Sequence, residues 1–344
     1  MTIFVTRLAA GSPLPPVYLE RKHRSVQSPV IAIRIAIKID RRFGEKVSLK
    51  LRAERLRRRV APFGERLVLL EGKRAAWDVA QLPISAGLKR AGFGVFSQYD
   101  EDGIIQFLIS HVEIKNQTFV EFGVEHYEES NTRFLLMNDS WHGLVIDGSE
   151  ENVDYIKNDR VSRRFDLQAQ CSFITKDNIN DLIRSSGFDE DLGLLSVDID
   201  GNDYWIWETI NVVRPRIVVA EYNSVFGHDP ISVPYQADFQ RTKAHFSNLY
   251  YGCSLSALTH LAGKKGYILV GSSLRGNNAF FLRKDIAGAF PEVSARDAYV
   301  SSPFREGRDA KGRLTYLRGT ARRKAIAHLP VVDVITGQTR PLGE

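Results

Sequence analysis

Acidic residues close four short apolar runs of this 344-residue chain. Glu121 ends a run over 118–123 and Asp147 one over 143–148. Asp198 and Asp200 end one over 194–200, and Glu221 ends one over 217–222. Carboxylates can accept hydrogen bonds from hydroxyls, ligate a hard cation, or offset positive charge on a cofactor. Short runs rich in Val and Ile have the pattern of strands buried on both faces, as in a parallel sheet. In open α/β sheets, ligands bind beyond the carboxyl ends of such strands. All four runs carry their acid at that end. Folding alone supplies little reason for such a row.

The third run continues as Asp198-Ile199-Asp200-Gly201-Asn202-Asp203-Tyr204. Crowding three carboxylates into six residues is unfavourable unless a cation or a base role compensates. The start imitates a calcium loop but lacks the later Gly and Glu, which argues against an EF-hand. Asp198, Glu221 and Asn223 stand at the ends of adjacent predicted strands. They could converge as oxygen ligands for Mg²⁺, or form a hydrogen-bonded carboxylate network without metal, and both readings stay open. His228 follows the last run and suits a general base near neutrality, or is a solvent-facing loop histidine. Asp147 lies 26 residues after Glu121, a spacing that fits a carboxylate holding ribose hydroxyls. With Gly148 it could equally form a plain turn. Gly123 would let the chain turn sharply and a ligand approach the backbone, although the sequence there is not G-x-G-x-x-G. The two cysteines, Cys171 and Cys253, show neither a disulfide framework nor a zinc spacing.

The elements that must position these residues alternate between strand and helix from about residue 91. The expected fold is α/β, a Rossmann-like, doubly wound, seven-stranded mixed sheet. Its last strand, near 279–284, should be antiparallel and lie between strands five and six. The formal charge of +6 hides an asymmetry. Residues 1–90 carry 20 basic against 7 acidic side chains, and residues 91–290 carry 17 against 28. This contrast predicts a basic N-terminal extension over 1–90, a ligand-binding domain over 91–290, and a C-terminal extension over 291–344. In the first segment, isoleucines alternate from Ile31 to Ile39 as in a strand. A helix from Ser48 would carry Arg52, Arg55, Arg57, Arg58 and Arg59. That face could touch an anionic membrane or nucleic acid, or simply be solvated. No aromatic residue interleaves with the arginines, so no stable nucleic-acid partner is expected. No apolar run approaches the roughly 20 residues that span a bilayer. A cytoplasmic location is expected, membrane-peripheral if the basic face binds lipid.

Several strings together resemble FkbM-like, S-adenosylmethionine-dependent methyltransferases. They are Ser97-Gln98-Tyr99-Asp100-Glu101-Asp102-Gly103, Phe119-Val120-Glu121-Phe122-Gly123, the Leu195–Tyr204 string, Glu221-Tyr222-Asn223, Tyr251-Gly252-Cys253-Ser254-Leu255 and Gly276-Asn277-Asn278-Ala279-Phe280-Phe281. The resemblance covers about residues 96–285. It implies that Glu121 and Gly123 border the methionine part of the cofactor. Asp147 would hold the ribose, Ser172 and Phe173 would lie near adenine, and Gly148 and Asp198 would also touch the cofactor. Positions 125–127 are Glu, His and Tyr, where a full glycine-rich loop would have small residues. The resemblance further implies methyl transfer, for which an oxygen nucleophile must lose its proton. Asp198, Asp200, Glu221 and His228 are the groups that could take it. The expected acceptor is a small molecule or glycan, methylated on a sugar hydroxyl. Two other readings compete: a noncatalytic binding module recruited by its basic N-terminus, and a nucleotide-sugar or NAD oxidoreductase, which would need G-x-G-x-x-G after the first strand.

Overall fold

The computed structural model describes residues 64–344. The expected strand over 29–40 and the arginine-rich helix from 48 lie outside the described residues. The chain divides into two units, Met1–Gly64 and Glu65–Glu344. The boundary expected at 290 is not where the structure divides. Residues 291–344 belong to the same unit as the sheet, for the reason given below.

Seven strands form one sheet: β1 (Thr118–Phe122), β2 (His142–Asp147), β3 (Leu167–Cys171), β4 (Leu194–Val197), β5 (Ile217–Glu221), β7 (Tyr267–Ser272) and β8 (Asn278–Arg283). Their order is β3-β2-β1-β4-β5-β8-β7. β8 pairs antiparallel with both β5 and β7, and all pairs among β1 to β5 are parallel. This is the expected mixed sheet, with β8 inserted between the fifth and sixth strands. Alternate residues face opposite cores, as strand geometry requires. Val120, Phe122, Leu144, Val197 and Phe281 pack on one side with α7 (Asp203–Thr209) and α9 (Leu255–Lys265). Phe119, Val145, Leu194, Val219 and Phe280 pack on the other with α3 (Glu101–His111) and α4 (Arg133–Asp139).

Strand ends fall short of the sequence reading, and the causes are local. β4 stops at Val197 because Asp203 accepts hydrogen bonds from the N–H groups of Ile199 and Gly201, curling the chain back. β5 stops at Glu221 because the Tyr222 and Asn223 N–H groups turn to the carbonyls of Asn277 and Cys253. Helix α9 begins as expected on Ser254, whose hydroxyl accepts from the Ala257 N–H. It ends at Gly266 rather than Gly263. Gly266 has φ +82° and returns its N–H to the last turn, a conformation glycine adopts without cost.

A second, three-stranded sheet ties down the C-terminus. β9 (Pro330–Asp333) pairs with β10 (Thr339–Pro341) and with β6 (Ile231–Ser232), which follows the loop after β5. Arg323 adds an ion pair to Asp229 and donates to the Phe226 carbonyl. These pairings anchor the segment expected as an extension to the main unit.

The string Asp100-Glu101-Asp102 is a structural knot. Asp102, 1 % exposed, accepts the N–H groups of Val95, Phe96 and Ser97 on one oxygen at 2.7, 2.7 and 2.8 Å. Glu101 accepts from the Asn278 amide, and Asp100 from the Leu274 N–H. The segment before α3 is thereby fastened to the β7–β8 hairpin. Replacing Asp102 with Ala leaves three backbone donors without their acceptor. We expect a loss of about 3 kcal/mol or more in urea unfolding; a loss below 1 kcal/mol would show that water takes over those donors.

Candidate active-site cleft

Two cavities open at the carboxyl edge of the parallel strands, of about 390 and 200 Å³. Gly123, Glu125, Asp198 and Asp200 line both, so the two form one cleft. Its pivot is Gly123. With φ +69°, a Cβ there would lie 1.9 Å from the Asp198 carbonyl oxygen. Only glycine lets the chain leaving β1 cross so close to the end of β4.

The carboxylates at the four strand ends differ in what they hold. Glu121 is buried and accepts from the Asn131 and Thr132 N–H groups, from the Thr132 hydroxyl and from Ser196. It fixes the N-terminus of α4 against the sheet. Burial raises its pKa, opposed by those hydrogen bonds. Asp147 accepts the Glu125 N–H on one oxygen, and the Ser149 N–H and Asn152 amide on the other. It therefore clamps the loop after β1 to the start of α5 (Glu150–Asn158) while lining the smaller cavity. A carboxylate has about four acceptor positions, so one remains for a ligand hydroxyl. Gly148, Ser172 and Phe173 line the same cavity, and Phe173 presents an exposed ring to it. All the residues assigned to a cofactor thus border the cleft.

Asp198, Asp200 and Glu221 meet at its centre. Each can offer one oxygen within 4.8 Å of the others. Burial, then the charges of Asp200 and Asp203, push the Asp198 carboxyl well above the usual range. Burial, then the charge of Asp198, does the same to Glu221. Glu221 Oε2 is buried and has no hydrogen-bond partner among the described residues. Asp200 sits at φ +54°, a left-handed conformation that Asp tolerates better than most side chains. Three clustered carboxylate oxygens suit a hard divalent cation as donors.

Two residues expected with this group are elsewhere. The Asn223 side chain donates to the Leu249 and Tyr251 carbonyls and accepts from the Val225 N–H, so it caps the turn after β5 and does not join the cluster. Asp200 takes the third place instead. His228 is exposed and packs against the Tyr299 ring at 4.5 Å between centroids. It lines neither cavity of the cleft.

Sequence reasoning missed Arg241, at the start of α8 (Arg241–Ala244). Its guanidinium donates to Asp200 at 2.7 Å and lies 3.8 Å from the centroid of the Tyr251 ring. Nothing in its local sequence marks it, because its partner is 41 residues away. Gln98, Asn277 and Asn278 also line the larger cavity. Their strings carried the family resemblance, but no spacing placed them at the cleft.

No family model matches the chain, and no curated protein matches it. Solved structures do match. An O-methyltransferase from Bacillus cereus, in complex with SAH, is similar at 13 % identity and a TM-score of 0.35, over 61 % of this chain and 89 % of that one. The N-terminal domain of EvdMO1, in the presence of SAH and D-fucose, is similar at 10 % identity and a TM-score of 0.34, over 62 % and 94 %. The CurJ carbon methyltransferase is similar at 7 % identity and a TM-score of 0.35, over 67 % and 70 %. Likenesses this distant carry no argument about chemistry.

The buried carboxyl of Asp203 generates a pH dependence. Burial raises its pKa from 3.8 to about 6, against the pull of the Ile199 and Gly201 N–H groups. The folded chain therefore holds this proton longer than the unfolded chain does. Its contribution to stability is complete below about pH 4 and is lost as pH rises towards 6, by up to about 1.4 kcal/mol per pH unit. Asp203→Asn should flatten the unfolding free energy measured between pH 4 and 6. An unchanged slope would mean that the carboxyl is ionised throughout.

Proposed function

We propose that the chain is an S-adenosylmethionine-dependent methyltransferase acting on a hydroxyl oxygen of a sugar. The observation that carries the proposal is the joined cleft around Gly123, with Asp147 lining its smaller cavity and Asp198, Asp200 and Glu221 meeting where the larger one begins. The smaller cavity, between Phe173, Ile174, Ile199 and Phe239, offers apolar walls to a flat base. Asp147 sits where a ribose hydroxyl would donate. The backbone at Gly123 leaves room for the amino-acid part, and the neighbouring carboxylates favour a sulfonium over its neutral product.

Transfer is an in-line displacement. The acceptor oxygen bonds to the methyl carbon while the carbon–sulfur bond breaks and its electron pair stays on sulfur. Much of the acceleration comes from holding the two reactants about 3–3.5 Å apart. The hydroxyl proton needs a base. Asp198 and Glu221 suit that task, because their raised pKa values bring proton affinity closer to neutrality. Arg241 pairs with Asp200 beside them. Should Mg²⁺ bind, Asp198, Asp200 and Glu221 would be its ligands, and it would supply Lewis acidity toward the acceptor oxygen.

The cleft's charge argues against the oxidoreductase alternative. Among the described residues, seven carboxylate side chains and one arginine line the larger cavity. A dinucleotide's pyrophosphate would meet repulsion there, and helix α4, whose N-terminus could have received it, is already held by Glu121. As to membrane recruitment, no helix among the described residues is long and apolar enough to cross a bilayer, and the arginine-rich segment lies outside them.

Calorimetry with S-adenosylhomocysteine tests the reading directly. The wild-type chain should bind it, and Asp147→Ala should weaken binding by roughly 1.5–3 kcal/mol for each charge-assisted hydrogen bond lost. A folded wild-type chain with no affinity would overturn the proposal. Asp198→Asn should lose far more turnover than cofactor affinity. Exhaustive chelation followed by Mg²⁺ separates the two roles of the cluster: activity lost and then restored assigns it to metal, and activity retained assigns it to proton transfer.

A further inference from the structure

The larger cavity carries more negative charge than the cofactor could offset. Among the described residues, Glu121, Glu125, Glu128, Glu129, Asp198, Asp200 and Glu221 face one guanidinium, that of Arg241, a formal excess of at most six negative charges, reduced where Asp198 or Glu221 holds a proton. Asp200 is paired with Arg241, and Glu121 is held by backbone donors. Glu125, Glu128 and Glu129 stand exposed on the loop after Gly123. A bound sulfonium cofactor brings a net charge of about one.

A second observation at the same cavity concerns hydrogen bonding. Asn278 is 3 % exposed and lines the cavity. Its amide nitrogen donates to Glu101 at 3.0 Å, which fixes the orientation of the side chain, since the reverse would set oxygen against a carboxylate. Its Oδ1 is left buried with no partner among the described residues, as is Oε2 of Glu221 on the same wall. Buried acceptors without donors are costly, and a ligand rich in donors would relieve them. Hydroxyls supply donors but no charge. An ammonium group supplies three donors together with positive charge and no acceptor.

Resting on the methyltransferase reading, we propose that the acceptor is a polyhydroxylated amine, an amino sugar unit whose protonated amine is held in this cavity while one of its hydroxyls is methylated. The amine is a recognition group. It keeps its proton throughout, and the hydroxyl alone forms the new bond to carbon. Asn278 and Glu221 are the inner acceptors. Glu128 and Glu129 draw the cation in from solvent.

The test uses the full chain and two disaccharides of the same β-1,4 linkage, fully deacetylated chitobiose and cellobiose, which differ at carbon 2 in amine against hydroxyl. Binding is measured by calorimetry at pH 6 and low salt, with and without S-adenosylhomocysteine. The expected result is at least tenfold tighter binding of the amine, diminishing as salt is raised. The double variant Glu128→Gln, Glu129→Gln should lose most of that preference while binding S-adenosylhomocysteine as before. Glu292→Gln, outside the cleft, should keep the preference. Equal or tighter binding of cellobiose, no binding of either sugar, or a preference untouched in the double variant would overturn the proposal. Absence of S-adenosylhomocysteine binding would instead overturn the methyltransferase reading, and the sugar comparison without cofactor would still decide the nature of the ligand.

Discussion

The cleft depends on one close approach, the α-carbon of Gly123 against the carbonyl of Asp198. Adjacent parallel strands ordinarily diverge where their loops begin. Here the chain leaving β1 crosses the end of β4 at a separation that excludes any side chain. The same crossing sets the Glu125 N–H against Asp147, whose other oxygen holds the chain after β2. Three strand ends are thus locked to one another by a missing methyl group and a single carboxylate. The floor of the cleft is rigid for that reason, and the carboxylates above it keep their spacing although they repel.

Repulsion is the second organising theme. Asp198 and Glu221 are held together by a fold that gains more elsewhere, from the large apolar cores on both faces of the sheet. Asp203 and Glu121 are masked by backbone donors, and Asp200 by Arg241. For Asp198 and Glu221 burial outweighs the nearby charge of Arg241. They are the groups left to respond to whatever binds, whether a proton, a cation or a donor-rich ligand.

The strands, their order of appearance and the acids at their ends were legible in the sequence because both signals are local. An apolar run and the residue that ends it are neighbours in the chain. Asn223 misled because strand-end position says nothing of side-chain direction, and the chain turns two residues earlier to pair with Asn277 and Cys253. His228 misled because proximity in sequence to β5 placed it near the cleft, whereas the turn after Glu221 carries it away to Tyr299. Arg241 and Asn278 were invisible as site residues for the opposite reason. Each reaches the cleft from a segment distant in sequence, and neither belongs to a pattern with a fixed spacing. The small second sheet was hidden by shortness: β6 has two residues and gains its identity from pairing with β9 and from the bridge of Ser232 to Cys253.

The insertion of β8 between β5 and β7 has a kinetic consequence. β7 precedes β8 in the chain, yet it is joined to the sheet only through β8. A sheet built in order of synthesis would therefore stop at β5, with that strand's backbone groups open along one side. Such an open edge invites pairing with another chain. β7 cannot protect it, so closure waits until the hairpin of β7 and β8 docks as a unit. During that interval, concentration decides the fate of the molecule, because docking is unimolecular and mispairing is not. Conditions that slow the hairpin should thus lower the yield of native protein more than they lower its final stability.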